Sequence, residues 1–189
     1  MTGDSTLTRR RAAAWRKWGV LALVAAACVA CDRRSESTDP PGKAEMARLD
    51  FQLKDMNGAD VKLSDFKGRP LLVNFWATWC GPCKHEIPLF VELVEKYRDQ
   101  KFTVLGISTD DSPADLRPFA AEYKMNYPVL VGLNNDALLE AYDAVFAIPV
   151  SWFIRPDGTV FLKRPGPATK EWFETQVKAL IAGANTEAQ

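Results

Sequence analysis

Two cysteines three positions apart, Cys80 and Cys83, stand between an apolar run, Leu71 to Phe75, and a segment patterned as a helix from about Pro82. A Cys-x-x-Cys pair is either a redox dithiol or half of a metal site. Its place between a buried strand and a helix start, in a βαβ-like pattern, favours the dithiol. Positions three apart share a helix face, so Cys80 and Cys83 can close a short disulfide with little backbone movement. Pro82 suits a first helical turn, where its missing N–H has no bond to lose. Cys80 then lies at the helix N-terminus, where free N–H groups and the helix dipole favour a thiolate, and it is the expected nucleophile. Cys83, one turn deeper and followed by apolar residues, is the expected resolving thiol and the less exposed of the two.

The stretch from Val73 to Cys83, reading Val-Asn-Phe-Trp-Ala-Thr-Trp-Cys-Gly-Pro-Cys, resembles the active-site segment of the thioredoxin superfamily. More narrowly it is similar to the membrane-tethered TlpA and ResA-like thiol-disulfide oxidoreductases. The resemblance runs from about Phe51 to about Leu180, and its most specific part is Trp79-Cys80-Gly81-Pro82-Cys83 with Glu86 and Pro88 behind it. It implies an α/β, thioredoxin-like fold: a central mixed β-sheet flanked by helices on both faces, with an N-terminal strand pair and an extra helix-strand insertion. It also implies that Trp79, Gly81 and Pro82 support the Cys80–Cys83 disulfide. Pro149, in Ala147-Ile148-Pro149-Val150, stands where the family holds a cis proline facing the dithiol, so the Ile148 backbone, with Val150 beside it, becomes the substrate edge. The sequence departs from the family at Ala147, where glycine is common, and at Val150 and Trp152, where threonine and phenylalanine are usual.

Proton handling departs as well. Asn74 occupies the place of the buried aspartate of thioredoxin and cannot act as a base. Glu86, three residues after Cys83 on the same helical face, is the available carboxylate. It is expected to exchange a proton with Cys83 while a mixed disulfide breaks, which requires a pKa raised by partial burial.

Residues 1–31 read as a lipoprotein-type signal and anchor. A basic start, with Arg9, Arg10, Arg11, Arg16 and Lys17, precedes the apolar run Trp18 to Ala30, and polar sequence begins at Asp32. Thirteen apolar residues are signal-peptide length and short for a span. Val29-Ala30-Cys31 resembles the lipobox of bacterial lipoproteins, which makes Cys31 the lipidation site; Cys28 is the alternative, and an uncleaved anchor is a third. The basic run lacks the apolar residues that twin-arginine export expects directly after the pair, so ordinary export is favoured. Asp32 after Cys31 resembles an inner-membrane retention signal, which points to the bacterial cell envelope, facing the periplasm.

Residues 32–44 are rich in Ser, Asp, Arg, Pro and Gly without an apolar period and read as a flexible tether. Residues 45–185 are a normal size for one thioredoxin-like domain with one core. Without residues 1–30 the chain keeps 19 basic residues against 23 acidic ones, a balance that gives no argument for nucleic-acid binding.

Within the domain, Phe51 to Leu53 and Val61 to Leu63 flank Asn57-Gly58 and read as a strand pair. Leu71 to Phe75 suits a strand buried on both faces. The following helix carries Phe90, Leu93, Val94 and Tyr97 on one stripe, with Pro88 expected to kink it. Phe102 to Ser108 reads as a strand, Ser112 to Asp115 as a capped helix start running to about Lys124, and Tyr127 to Val131 as another strand. Pro156-Asp157-Gly158 turns between strands Ser151 to Ile154 and Thr159 to Lys163, and Thr169 can cap a last helix.

Several function classes compete. The first is an extracytoplasmic reductant of client-protein disulfides that needs no cofactor and is recharged by an integral-membrane dithiol donor. The resemblance makes its clients apocytochrome c or copper-site cysteines. Gly-Pro between the cysteines resembles thioredoxin, at about −270 mV, rather than strong oxidants at about −120 mV, although donation of disulfides stays open. A Cu(I)-binding module would use the two thiolates as ligands, but no Met or further Cys stands in the motif. A peroxidase is disfavoured because Val73 and Ala77 hold the places of its expected Pro and Thr. Four-cysteine zinc is disfavoured because the Cys28/Cys31 pair lies in the signal run. His85, the one histidine, reads as solvated.

Overall fold

The computed structural model describes residues 44–187, so the expected signal segment with Cys28 and Cys31, and nearly all of the expected tether, lie outside the described residues. In chain order the elements are β1 (Gln52–Asp55), β2 (Asp60–Lys62), β3 (Leu71–Trp76), α1 (Gly81–Lys96), β4 (Thr103–Ser108), α2 (Pro113–Glu122), β5 (Val129–Val131), α3 (Asp136–Ala141), β6 (Val150–Ile154), β7 (Val160–Pro165) and α4 (Lys170–Glu187). Short 3-10 turns at Leu63–Phe66 and Arg98–Gln100 complete the set.

The strands form one mixed sheet in the order β2-β1-β5-β4-β3-β6-β7. β3 pairs with β4 in parallel and with β6 antiparallel, and all six of its residues are buried. Alternation of side chains along the strand divides the core in two. Leu71, Val73 and Phe75 face Leu105, Ile107, Leu130 and Trp152 under the 3-10 turn and α3. Leu72 faces Phe90 and Leu93 of α1 and Phe173, Val177 and Leu180 of α4. Trp76 faces Cys83 and Ile87 of α1 and Leu116 and Ala120 of α2. Each large side chain buried this way contributes about 1.5–3 kcal/mol against its exposed state.

The expected strand pair forms, with Leu53 opposite Val61. It joins the sheet through β5, which pairs with β4 on one side and β1 on the other, so the α2-β5 insertion extends the sheet. At the start of α2, Ser112 and Asp115 close the expected reciprocal cap. Thr169 Oγ1 accepts from the Trp172 N–H at 3.2 Å at the start of α4. α1 continues through Pro88, which lies on its exposed side, to Lys96.

α3 was not foreseen from the sequence. Asn135 caps it by accepting from the Leu138 N–H at 3.2 Å, and Leu138 is fully buried. Just beyond it, the Tyr142 hydroxyl donates to the Arg48 carbonyl at 2.9 Å, and Trp152 Nε1 donates to the Tyr142 carbonyl at 3.0 Å. These bonds fix where the chain leaves α3 for Pro149. Among the described residues no helix is long and apolar enough to cross a membrane.

Candidate active site

The parallel register of β3 and β4 sets Trp76 beside Ser108, so the loops leaving both strands meet at one end of the sheet. Asp111, from the β4 loop, accepts from the Thr78 N–H at 2.8 Å, the Thr78 hydroxyl at 2.6 Å and the Ser108 hydroxyl at 2.6 Å. Its neighbour Asp110 accepts from Trp79 Nε1 at 2.9 Å. The two acids hold the segment that delivers Cys80 to α1.

Cys80 is the N-cap of α1, and its Sγ accepts from the Cys83 N–H at 3.2 Å. Sulfur at this position faces the positive end of the helix, which favours the anion when the thiol is free. Cys80 and Cys83 are joined in a disulfide with Cα atoms 5.3 Å apart. Both are covered, at 3% and 1% exposure, within a wall of Trp76, Ile87, Leu116 and Ala120. Exposure therefore separates the two thiols less than expected, and the helix-end bond to Cys80 is the sharper distinction. Gly81 and Pro82 are exposed, and a Cβ on Gly81 would meet nothing within 4 Å, so crowding does not explain that glycine.

The Ile148–Pro149 peptide bond is cis. Ile148 packs against the cluster that contains both cysteines, and Val150 pairs with Phe75 in the sheet. The Pro149 carbonyl accepts from the Gly166 N–H at 2.9 Å, whereas the Ile148 backbone has no hydrogen-bond partner among the described residues.

Glu86, also on α1, is 2% exposed. Oε1 accepts from the Ala168 N–H at 2.9 Å, while Oε2 is buried without a partner. Burial pushes its carboxyl up to about 7 from the ordinary 4.5, against the opposing pulls of the Ala168 N–H and the Arg164 charge. The Tyr127 hydroxyl is held well above its ordinary range by burial, with the charge of Glu86 adding to it. Asn74 is buried and donates to the Ser151 hydroxyl at 3.0 Å, tying β3 to β6. His85 is exposed and distinct from the dithiol wall. No group of three or more metal-ligating side chains occurs among the described residues.

A groove of about 720 Å³ opens beside Trp79, between the β4 loop and the α3-to-Pro149 segment. Neither this groove nor the Asp110 and Asp111 contacts are legible in the sequence. The one local signal is the acidic pair Asp110-Asp111, two residues past the buried strand that follows the cysteine-bearing helix.

A profile of the AhpC/TSA family matches residues 45–162. The chain is 32% identical over 130 residues to the thiol-disulfide oxidoreductase ResA of Bacillus thuringiensis subsp. konkukian, a match covering 69% of this chain and 74% of that one. The crystal structure of a thiol:disulfide interchange protein of the thioredoxin family from Chlorobium tepidum superposes with a TM-score of 0.66 at 27% identity, covering 74% of this chain and 97% of the other. The exposed lipoprotein thioredoxin Etrx1 from Streptococcus pneumoniae is 32% identical with a TM-score of 0.59, covering 69% of this chain and 99% of its own.

Proposed function

The chain belongs to the AhpC/TSA family and is a thioredoxin-like thiol-disulfide oxidoreductase, and from that premise we propose that it is a membrane-tethered reductant of client-protein disulfides outside the cytoplasm. The observation that carries this reading is the Cys80–Cys83 disulfide with Cys80 Sγ on the α1 N-terminus. In the reduced protein, the Cys80 thiolate attacks one sulfur of a client disulfide, forms a mixed disulfide and releases the other client sulfur as a thiolate. Cys83 then loses its proton and attacks Cys80 Sγ. The Cys80–Cys83 bond forms and the second client sulfur leaves as a thiolate, so the client gains two electrons, its two thiolates take one proton from Cys83 and one from solvent, and the protein is oxidised.

Glu86 supports the second half of this exchange. Three residues from Cys83 on one helix, buried and with a pKa near 7, it can accept the Cys83 proton without being ionised far below neutral pH. The unpaired Ile148 backbone beside cis Pro149 supports strand-like pairing with a client segment, flanked by Val150. Trp79, Gly81 and Pro82 shape the approach to Cys80.

The anchor is a lipid on Cys31, with Cys28 as the alternative cleavage site, and residues 45–185 form the working domain on a tether of residues 32–44. A lipoprotein among the structural relatives supports this placement. The clients are apocytochrome c or copper-site cysteine pairs, and the donor is an integral-membrane dithiol protein facing the periplasm from the inner membrane. The deciding experiment is the equilibrium potential of the Cys80–Cys83 pair against glutathione or dithiothreitol buffers. A value near about −270 mV supports the reductant; one near about −120 mV makes the protein a disulfide donor.

A further inference from the structure

We propose that the groove beside Trp79 receives a client segment that carries a bulky apolar residue and a lysine or arginine next to its reacting cysteine. The inference rests on the reading of Cys80 and Cys83 as a client-reducing dithiol. The groove runs from Trp79, the neighbour of Cys80, to Ile148, the neighbour of cis Pro149. An extended chain whose sulfur reaches Cys80 along the Ile148 backbone lies against it.

Apolar side chains line the groove without being covered. Phe146 is 93% exposed, Trp79 64% and Val145 50%, and all three line the groove. Exposed aromatics grouped at one concavity mark a contact surface rather than ordinary surface scatter.

The charge on the rim chooses the occupant. Asp110, Asp136 and Glu140 line the groove, and no Lys or Arg does. Asp136 and Glu140 stand one turn apart on α3, a like-charge spacing that works against the helix, and Glu140 adds a negative charge at the helix's negative end. Asp136 and Glu140 have no ion-pair partner among the described residues, so both charges are free to meet a client. A cationic side chain from a client supplies that partner, and the apolar wall takes the neighbouring side chain.

The test uses the reduced full-length protein in single turnover with peptide disulfides that differ only in flanking residues, Lys-Leu against Glu-Leu. Each rate is normalised to the same peptide's reaction with dithiothreitol. The basic peptide should react about tenfold faster at low salt, and the advantage should fade as ionic strength rises. Asp136→Lys with Glu140→Lys should remove or reverse the preference, and Phe146→Ser should slow the basic peptide several-fold. All three residues are exposed, and circular dichroism checks that the variants are folded. Equal rates for the two peptides, or a preference that survives charge reversal, overturn the proposal. Concentration-dependent self-association lost in Phe146→Ser overturns it too, by making a second copy the occupant. Exchange with neutral 2-hydroxyethyl disulfide separates the failures: turnover there without peptide preference sinks the groove alone, and no turnover sinks the dithiol reading beneath it.

Discussion

Asp111 and Glu86 are both buried carboxylates tied to the dithiol-bearing segment, one by its bonds to Thr78 and the other by its place on α1, yet their surroundings differ. Asp111, at the end of β4, accepts three hydrogen bonds from Thr78 and Ser108. Glu86, between α1 and the start of α4, has one oxygen bonded to Ala168 and the other without a partner. The first holds a backbone segment in place. The second keeps one oxygen without a partner and a pKa raised to about 7, at a cost in stability whenever it is ionised.

Removing Asp111 should give the largest effect. Asp111→Ala leaves the Thr78 N–H and the Ser108 hydroxyl without their acceptor, and should lower unfolding free energy by about 3–4 kcal/mol in urea titrations. A variant as stable as the parent would erase the contrast between the two acids.

Glu86→Gln should act in the opposite direction, and only at higher pH. The folded chain holds the Glu86 proton up to about pH 7, whereas the unfolded chain releases it near 4.5, so stability is full below that range and falls as pH rises through it. Glutamine cannot ionise. The variant should match the parent at pH 4 and exceed it by about 3 kcal/mol above pH 7, measured by denaturant unfolding at both values.

The same substitution sharpens the comparison kinetically. Resolution of a trapped Cys80 mixed disulfide by Cys83 should slow about 10²-fold at neutral pH, and the inflection near pH 7 should vanish from the pH-rate profile. Retention of that inflection would assign the proton transfer elsewhere. Thr78→Val, which deletes one of three bonds to Asp111, should cost only about 1 kcal/mol in the same urea assay.

What could be read beforehand follows the range of each interaction. Cys80, Cys83 and Pro82 declare a helix start through local geometry, and Ser112 with Asp115 declares another across one turn. Leu71 to Phe75 announces a strand buried on both faces because the run is almost continuously apolar, and the structure carries it one residue further, to Trp76. Glu86 was legible as a helix-face neighbour of Cys83, but its burial depends on Ala168, 82 residues away. The bonds from Thr78 and Trp79 to Asp111 and Asp110 span 33 and 31 residues and exist only through the β3-β4 register. α3 escaped notice because six residues give too short a period to register against the surrounding loop.

The two rims of the sheet carry a consequence for behaviour at high concentration. At one rim β2 is three residues long and presents Asp60 and Lys62; at the other β7 presents Lys163 and Arg164 and ends in Pro165, which has no N–H to offer. Short, charged or proline-stopped edges are poor templates for strand-on-strand growth. Molecules crowded together on a surface should therefore resist edge-to-edge stacking into fibrils, even while the dithiol end of the sheet keeps its apolar residues uncovered.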